Sequence, residues 1–262
     1  MTIESDEEAA MTAVPNANNW IVYPRPNPQA RLRLFCFPYA GGGASIYRLW
    51  PNDLPSAVEV CSLQPPGREN RLREKPFTHV TPLTQALVPV ISPYLNLPFA
   101  FFGYSLGSLV AFEVVRELRR QGGPIPLHLF VGGRRAPQIP DPDPPIHQLP
   151  EPEFLIELRR LSGTPEAVLQ NAELMQLLQP LLRADFAINE TYPYTVEPPL
   201  ACPISAYGGL EDAEADQDDL APWQEQTRAA FKLQMFPGGH FFLNNDRAPL
   251  LQAISGDLYR YL

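Results

Sequence analysis

The strongest structural signal in this 262-residue chain is the segment Phe99-Ala100-Phe101-Phe102-Gly103-Tyr104-Ser105-Leu106-Gly107-Ser108-Leu109-Val110-Ala111-Phe112-Glu113. Its apolar start predicts a buried strand, and leucine and valine recur at helical spacing after Ser105. The glycines two residues before and after Ser105 permit a strand-to-helix turn too tight for a Cβ, which lifts the Ser105 hydroxyl out of the core. The segment therefore predicts a nucleophile elbow, although the same glycine–serine spacing also occurs in ordinary turns.

Two backbone N–H groups are candidates for stabilising an oxyanion beside Ser105. Leu106 begins the predicted helix, so its N–H has no partner within the helix and lies at the positive end of the helix dipole. Ala40 is the second candidate, because in serine hydrolases the loop after an early strand donates an N–H, and the loop 38–45 is rich in glycine. By themselves the three consecutive glycines favour a flexible turn. A phosphate-binding loop is not indicated, because no Gly-Lys-Ser/Thr follows.

Short apolar segments separated by helical patterns continue along the chain. Besides the strand before Ser105, strands are predicted at 31–37, 58–63, 127–131, 203–209 and 232–236, with an edge strand at 20–23. Helical patterns follow at 83–91, after Ser105 and at 250–262. Strands that alternate with helices predict an α/β fold with a mostly parallel central sheet flanked by helices.

The pattern changes between about residues 137 and 200. A proline-rich stretch at 136–145 is followed by three predicted helices, at 151–161, 165–170 and 172–192. The first and third carry apolar stripes at helical spacing. These helices could simply pack on the domain. Their position between two strands favours a helical lid that covers an acyl channel.

Three residues with complementary chemistry each follow a predicted strand: Ser105, Asp212 and His240. Their order along the chain is that of the α/β-hydrolase fold. A free serine hydroxyl is a poor nucleophile, so His240 would accept its proton, and Asp212 would fix the imidazole tautomer. The sequence therefore predicts a catalytic triad.

The acidic member of this triad is the least specific prediction. Asp212 is favoured because it is the second acidic residue after Gly209 and fits a turn that directs the side chain inward. The same loop carries further acids, for which a solvated charge run is the ordinary explanation: Glu211, Asp216, Asp218 and Asp219. The histidines His79 and His147 do not follow a strand, and no carboxylate follows the strand that ends at Val131.

Other polar residues and the cysteines are expected to be structural. By residue chemistry alone, Arg68, Glu69 and Arg71 predict a solvated, salt-bridged loop. His128 alternates within a strand and is interpreted as structural. The cysteine spacing fits neither a zinc site nor a disulfide framework, so small buried side chains are expected at Cys36, Cys61 and Cys202.

Composition limits the class of partner. The formal net charge is −9 and the isoelectric point is about 5.0, which argues against nucleic acid. No apolar run approaches the roughly 18 residues of a membrane span, and the start of the chain lacks a signal-peptide pattern, so a cytoplasmic protein is expected. Residues 1–19 predict a disordered acidic leader, and residues 20–262 one domain.

Six short motifs, in this order, resemble those of the type II thioesterases that accompany nonribosomal peptide and polyketide synthases. The similarity extends from Leu32 to Leu262. It rests on Phe37-Pro38-Tyr39-Ala40-Gly41-Gly42, Pro66-Gly67-Arg68-Glu69-Asn70-Arg71, Gly103-Tyr104-Ser105-Leu106-Gly107, Gly133-Arg134-Arg135-Ala136-Pro137, Gly208-Gly209-Leu210-Glu211-Asp212 and Gly238-Gly239-His240-Phe241-Phe242-Leu243.

The resemblance implies a discrete hydrolase that removes acyl or aminoacyl groups from the phosphopantetheine arm of acyl or peptidyl carrier proteins. No metal or diffusible cofactor is expected, because phosphopantetheine belongs to the partner, and a monomer suffices. The alternatives are a small-molecule esterase or acyl-CoA thioesterase, a medium-chain fatty acyl carrier protein thioesterase, and a non-catalytic protein that binds carrier proteins through the lid.

Overall fold

Strands and helices alternate along most of the chain, and the strands form a single sheet. The computed structural model describes residues 19–245 and 247–262, so the predicted leader lies, apart from Asn19, outside the described residues. The strands are β1 Ile21–Val22, β2 Leu32–Phe37, β3 Val58–Leu63, β4 Phe99–Tyr104, β5 Leu129–Gly132, β6 Ile204–Gly209 and β7 Phe231–Phe236. The helices are α1 Val80–Ile91, α2 Leu106–Arg120, α3 Glu151–Leu161, α4 Glu166–Leu169, α5 Ala172–Glu190, α6 Gln217–Leu220, α7 Phe242–Asn245 and α8 Arg247–Leu258.

The seven strands lie in the order β1-β3-β2-β4-β5-β6-β7. The pairs from β3 to β7 are parallel, and β1 pairs antiparallel with β3. The prediction of a mostly parallel sheet with an edge strand near the start is confirmed. Strand β4, which leads to Ser105, has three strands on either side, so Ser105 follows the middle strand of the sheet.

Successive side chains of a strand point to opposite faces of the sheet. Helices cover both of these faces. Phe35 and Phe101 pack on one face with α1 and α2, while Leu34 and Phe102 pack on the other with α8. All six residues of β4 are buried. This double burial explains why β4 is continuously apolar in the sequence.

The inserted segment forms α3, α4 and α5 between β5 and β6, close to the three positions predicted from the sequence. A separate apolar cluster holds these helices together, with Phe154, Leu158, Met175 and Leu182 among its buried residues. No helix in the described part of the chain is long and apolar enough to cross a membrane.

The three cysteines are free and buried, in agreement with the expectation from their spacing. Cys202 precedes β6. Burial raises the pKa of the Cys202 thiol to about 12, so this thiol stays protonated at neutral pH.

The prediction of a solvated loop at Arg68 and Arg71 is wrong. Both side chains are buried, and only Glu69 is exposed. Arg68 pairs with Asp185 of α5, and Arg71 donates to the Gln64 carbonyl oxygen at 2.8 Å. A buried guanidinium needs such partners, and Asp185 lies 117 residues further along the chain, so local sequence could not reveal it.

His128 belongs to a buried hydrogen-bond network at the edge of the sheet opposite Ser105. The Ser205 hydroxyl donates to Asp257 Oδ2 at 2.9 Å, and His128 Nε2 lies 2.9 Å from Ser205 Oγ. Since the hydroxyl hydrogen is already engaged, His128 Nε2 donates to Ser205 and cannot act as its base. This arrangement is structural, in agreement with the interpretation of His128 from the sequence.

We expect this buried histidine to make the fold sensitive to acid. Burial lowers the pKa of His128 from 6.5 to about 4, against the opposing effect of Asp257. The unfolded chain therefore binds the proton more readily than the folded protein, and stability is lost as the pH falls from 6.5 towards 4. When the pH falls from about 7.5 to about 5, His128 should lower the free energy of unfolding by roughly 2 kcal/mol. Urea unfolding at both pH values should show a smaller loss for His128→Gln, and an equal loss would contradict the expectation.

Candidate active site

Ser105 occupies a strained turn between β4 and α2. Its φ of 51° and ψ of −118° lie in a region that residues with a Cβ seldom adopt. The strain holds the side chain at the carboxyl edge of the sheet, where Ser105 lines a cavity.

The glycines on either side of Ser105 are required by close backbone contacts. A Cβ on Gly103 would lie 2.2 Å from the carbonyl oxygen of Gly107, and one on Gly107 would lie 2.1 Å from that of Phe37. Helix α2 therefore begins directly against β4 and against the end of β2. This contact places the glycine-rich loop after β2 beside Ser105.

His240 reaches Ser105 from the loop after β7. Its Nε2 lies 3.2 Å from Ser105 Oγ, and its side chain is 16% exposed. The loops after β6 and β7 pass so closely that a Cβ on Gly209 would lie 2.4 Å from the carbonyl oxygen of Gly238. The Tyr104 hydroxyl donates to the His240 carbonyl oxygen and fixes the backbone of this loop.

Asp212 contacts the other nitrogen of the imidazole. His240 Nδ1 lies 3.1 Å from Oδ1 and 3.0 Å from Oδ2 of Asp212. Asp212 Oδ1 also accepts from the backbone N–H groups of Glu214 and Ala215, at 2.9 and 3.3 Å. These bonds orient a carboxylate whose side chain is fully buried.

The other acids of this loop have different surroundings. Asp216 and Asp219 cap α6 through reciprocal hydrogen bonds, and Glu211 and Asp218 are exposed. Among the loop acids weighed from the sequence, Asp212 is the one that the structure places against His240.

A cavity of about 110 Å³ lies above Ser105 and His240. The inserted helices contribute apolar side chains to its lining, with Leu158 from α3 and Leu182 and Phe186 from α5. Helices α3 and α5 thus border the cavity above Ser105.

The two candidate oxyanion donors differ in their surroundings. Ala40 lines the cavity, and its N–H makes no hydrogen bond to any other residue that the structure describes. Leu106 is the first residue of α2, where the N–H has no partner within the helix, and its side chain is buried in the core. Ala40 thus lines the same cavity as Ser105, and Leu106 directly follows Ser105 in the chain.

Sequence reasoning missed several cavity residues, among them Arg134. Arg134 follows β5 and lines the cavity, and its guanidinium donates to the Asn189 side chain on α5. Burial lowers the pKa of Arg134 to about 10, so the guanidinium remains charged at neutral pH. The sequence did contain a signal for Arg134. The motif at 133–137 directly follows a strand, and residues in that position lie at the carboxyl edge of the sheet, where the site is.

The connected Ser105, His240 and Asp212 side chains can carry out nucleophilic acyl transfer. A family model for the thioesterase domain matches residues 32–258 of the chain. The chain is 46% identical over 242 residues to the gramicidin S biosynthesis protein GrsT of Aneurinibacillus migulanus, covering 92% of this chain and 94% of GrsT.

Solved structures show the same relationship. The RedJ thioesterase from the prodiginine pathway of Streptomyces coelicolor has 35% sequence identity and a TM-score of 0.83, with 98% of each chain covered. The type II thioesterase BorB from the borrelidin biosynthetic cluster has 34% identity and a TM-score of 0.81, covering 92% of this chain and 96% of BorB.

Proposed function

This chain belongs to the thioesterase family, and we propose that it removes acyl or aminoacyl groups from the phosphopantetheine arm of carrier proteins in a nonribosomal peptide or polyketide synthase. Family membership makes it a hydrolase of thioesters. The carrier-protein partner is supported by the names of its relatives, since GrsT is a protein of gramicidin S biosynthesis and BorB is a type II thioesterase of a biosynthetic cluster.

The observation that carries the mechanism is the unbroken contact from Ser105 through His240 to Asp212. In the first step Ser105 Oγ attacks the thioester carbonyl carbon while His240 Nε2 accepts the hydroxyl proton. Asp212 holds the proton on Nδ1, so that Nε2 is free to accept, and stabilises the imidazolium.

The carbonyl oxygen becomes an anion during this attack. The N–H groups of Ala40 and Leu106 would donate hydrogen bonds to it, and the cover of α3 and α5 strengthens such bonds by excluding water. His240 then returns its proton to the departing thiol, which leaves an acyl ester on Ser105.

A water molecule completes the reaction. His240 takes a proton from the water, the resulting hydroxide attacks the acyl ester, and the acid leaves as Ser105 regains its proton. The thiol belongs to the partner's phosphopantetheine, so this mechanism requires no metal or diffusible cofactor.

The cavity above Ser105 also bears on the acyl group. Its volume is about 110 Å³, but it is partly open, and Tyr39, Ala40 and Leu182 also line an adjoining cavity of about 340 Å³. The cavity above Ser105 therefore does not limit the acyl group to a short chain.

Release of acyl groups from a phosphopantetheinyl carrier protein tests this proposal. Acetyl, aminoacyl and decanoyl carrier proteins are compared with the matching coenzyme A thioesters and with an oxygen ester of the same acyl group. We expect a higher kcat/KM for each carrier-bound thioester than for the matching coenzyme A thioester, because the enzyme binds both the acyl group and the carrier.

Each other outcome identifies a different function. Equal or faster hydrolysis of the coenzyme A thioesters would contradict the carrier-protein assignment, and a preference for decanoyl groups would indicate a fatty acyl chain terminator. A preference for the oxygen ester would indicate an esterase. Absence of turnover on every substrate would leave only binding of carrier proteins.

A further inference from the structure

The motif at 66–71 has no part in the mechanism above, yet it contributes a buried ion pair next to the site. Arg68 Nη2 lies 2.9 Å from Asp185 Oδ1, and Arg68 Nη1 lies 3.1 Å from Asp185 Oδ2. The two side chains are 6% and 1% exposed. A bidentate ion pair of this kind fixes both groups in orientation as well as in distance.

The same two side chains hold the loop that carries Ala40. We call residues 38–43 the oxyanion loop. The Gly41 N–H donates to Asp185 Oδ2 at 2.7 Å, and Arg68 Nη1 donates to the Gly42 carbonyl oxygen at 2.9 Å. The two residues that follow Ala40 are therefore fastened through their backbone to one ion pair.

The oxyanion loop contains a turn that connects the Ala40 N–H to the ion pair. Gly42 N–H donates to the Tyr39 carbonyl oxygen at 2.9 Å, and Gly41 has a φ of +77°, which defines a turn with a left-handed third residue. The Tyr39 carbonyl group and the Ala40 N–H belong to the same planar peptide. Gly42, whose carbonyl oxygen accepts from Arg68, therefore also holds the peptide that carries the Ala40 N–H.

Asp185 lies on α5, the helix that also lines the acyl cavity. Leu182 of α5 packs so closely on the oxyanion loop that a Cβ on Gly41 would lie 2.7 Å from Leu182 Cδ2. Phe186, the next residue after Asp185, lines the cavity above Ser105. One helix therefore contacts both the acyl group's cavity and the loop that would stabilise the oxyanion.

We propose that Asp185 and Arg68 are positioning residues, which lock the oxyanion loop to α5 and so hold the Ala40 N–H in place for the developing oxyanion. This inference rests on the proposed function. An oxyanion exists only in the transition state and the tetrahedral intermediate, so loosening the loop should lower kcat while leaving KM nearly unchanged.

The variant Asp185→Asn tests the proposal, because it removes the charge with little change in side-chain size. Glu59→Gln is its matched control. Glu59 is also buried, pairs with Arg33 at 2.9 Å and accepts a backbone N–H, from Asn27, at 2.9 Å. It lies in β3 near the edge of the sheet opposite Ser105.

For Asp185→Asn we expect kcat to fall by about tenfold to a hundredfold, with KM changed by less than about threefold. An alkylboronic acid places an oxygen of its serine adduct at the oxyanion position, so its affinity should weaken by a similar factor. The affinity for a non-hydrolysable thioether analogue of the substrate should remain unchanged, because this analogue forms no oxyanion. Glu59→Gln should lower the melting temperature comparably and leave kcat within about twofold.

Arg68→Lys provides a second variant, which retains both charges but cannot form the bidentate ion pair. It should show the same division between kcat and KM, to a smaller extent. The proposal is overturned if folded Asp185→Asn and Arg68→Lys keep the wild-type kcat and boronic acid affinity, or if KM rises instead. Failure of the wild-type protein to hydrolyse any thioester would contradict the proposed function itself, which separates the two results.

Discussion

Replacement of Ser105 by alanine is expected to lower the rate of thioester hydrolysis by about 10⁴-fold or more. The variant lacks the proposed nucleophile, and no covalent acyl intermediate can form without it. The hydroxyl makes one described contact, to His240 Nε2 at 3.2 Å, so its removal leaves the core unchanged. We therefore expect the melting temperature to stay within a few degrees of the wild-type value.

Acyl release from an acetylated carrier protein, followed with time, measures this effect. Ser56→Ala, at an exposed serine, is the matched control and should retain full activity. A fluorophosphonate probe should label the wild-type protein and Ser56→Ala but not Ser105→Ala. Retained turnover by folded Ser105→Ala would rule out the covalent mechanism.

Replacement of Asp212 by asparagine is expected to lower kcat by roughly 10²-fold to 10⁴-fold, although the side chain keeps its size. The backbone N–H groups of Glu214 and Ala215 would retain the amide oxygen as their acceptor. The amide nitrogen would then face His240 and donate to Nδ1, which forces the proton onto Nε2. An imidazole in that tautomer cannot accept the Ser105 proton.

The neighbouring variant Glu211→Gln is the control for this prediction. Glu211 is exposed, so its kcat should stay within about twofold of the wild-type value. Steady-state kinetics on one thioester, with circular dichroism to confirm folding, compares the two variants. If kcat falls further in Glu211→Gln than in Asp212→Asn, the assignment of Asp212 as the acid of the triad is wrong.

The turn at Ser105 could be predicted from the sequence because its constraints are local. Gly103, Ser105 and Gly107 lie within five residues of one another, and the close contacts that demand glycine at position 103 are with the helix that this segment itself forms. The close contacts of Gly107 are with Phe37 and Pro38 at the end of β2, but the need for a small residue there is already apparent from the turn.

His240 could be placed beside Ser105 although 135 residues separate them. In a parallel sheet the carboxyl ends of the strands meet at one edge, so residues that directly follow strands converge there. The same rule brings Asp212 and Ala40 to that edge, and it applies equally to Arg134. The position of Arg134 in the cavity was not predicted, because an arginine cannot supply the acid of a catalytic triad.

Tertiary structure alone decided the roles of Arg68 and Asp185. Charged residues in loops and on helices are typical of solvated surfaces, and nothing local distinguishes one that is buried. A charge becomes buried only where a distant partner compensates its lost hydration. The sequence therefore determines the turn, the sheet and the edge that carries the site, while the pairing of distant charges that holds its loops is settled by the packing of α5 against them.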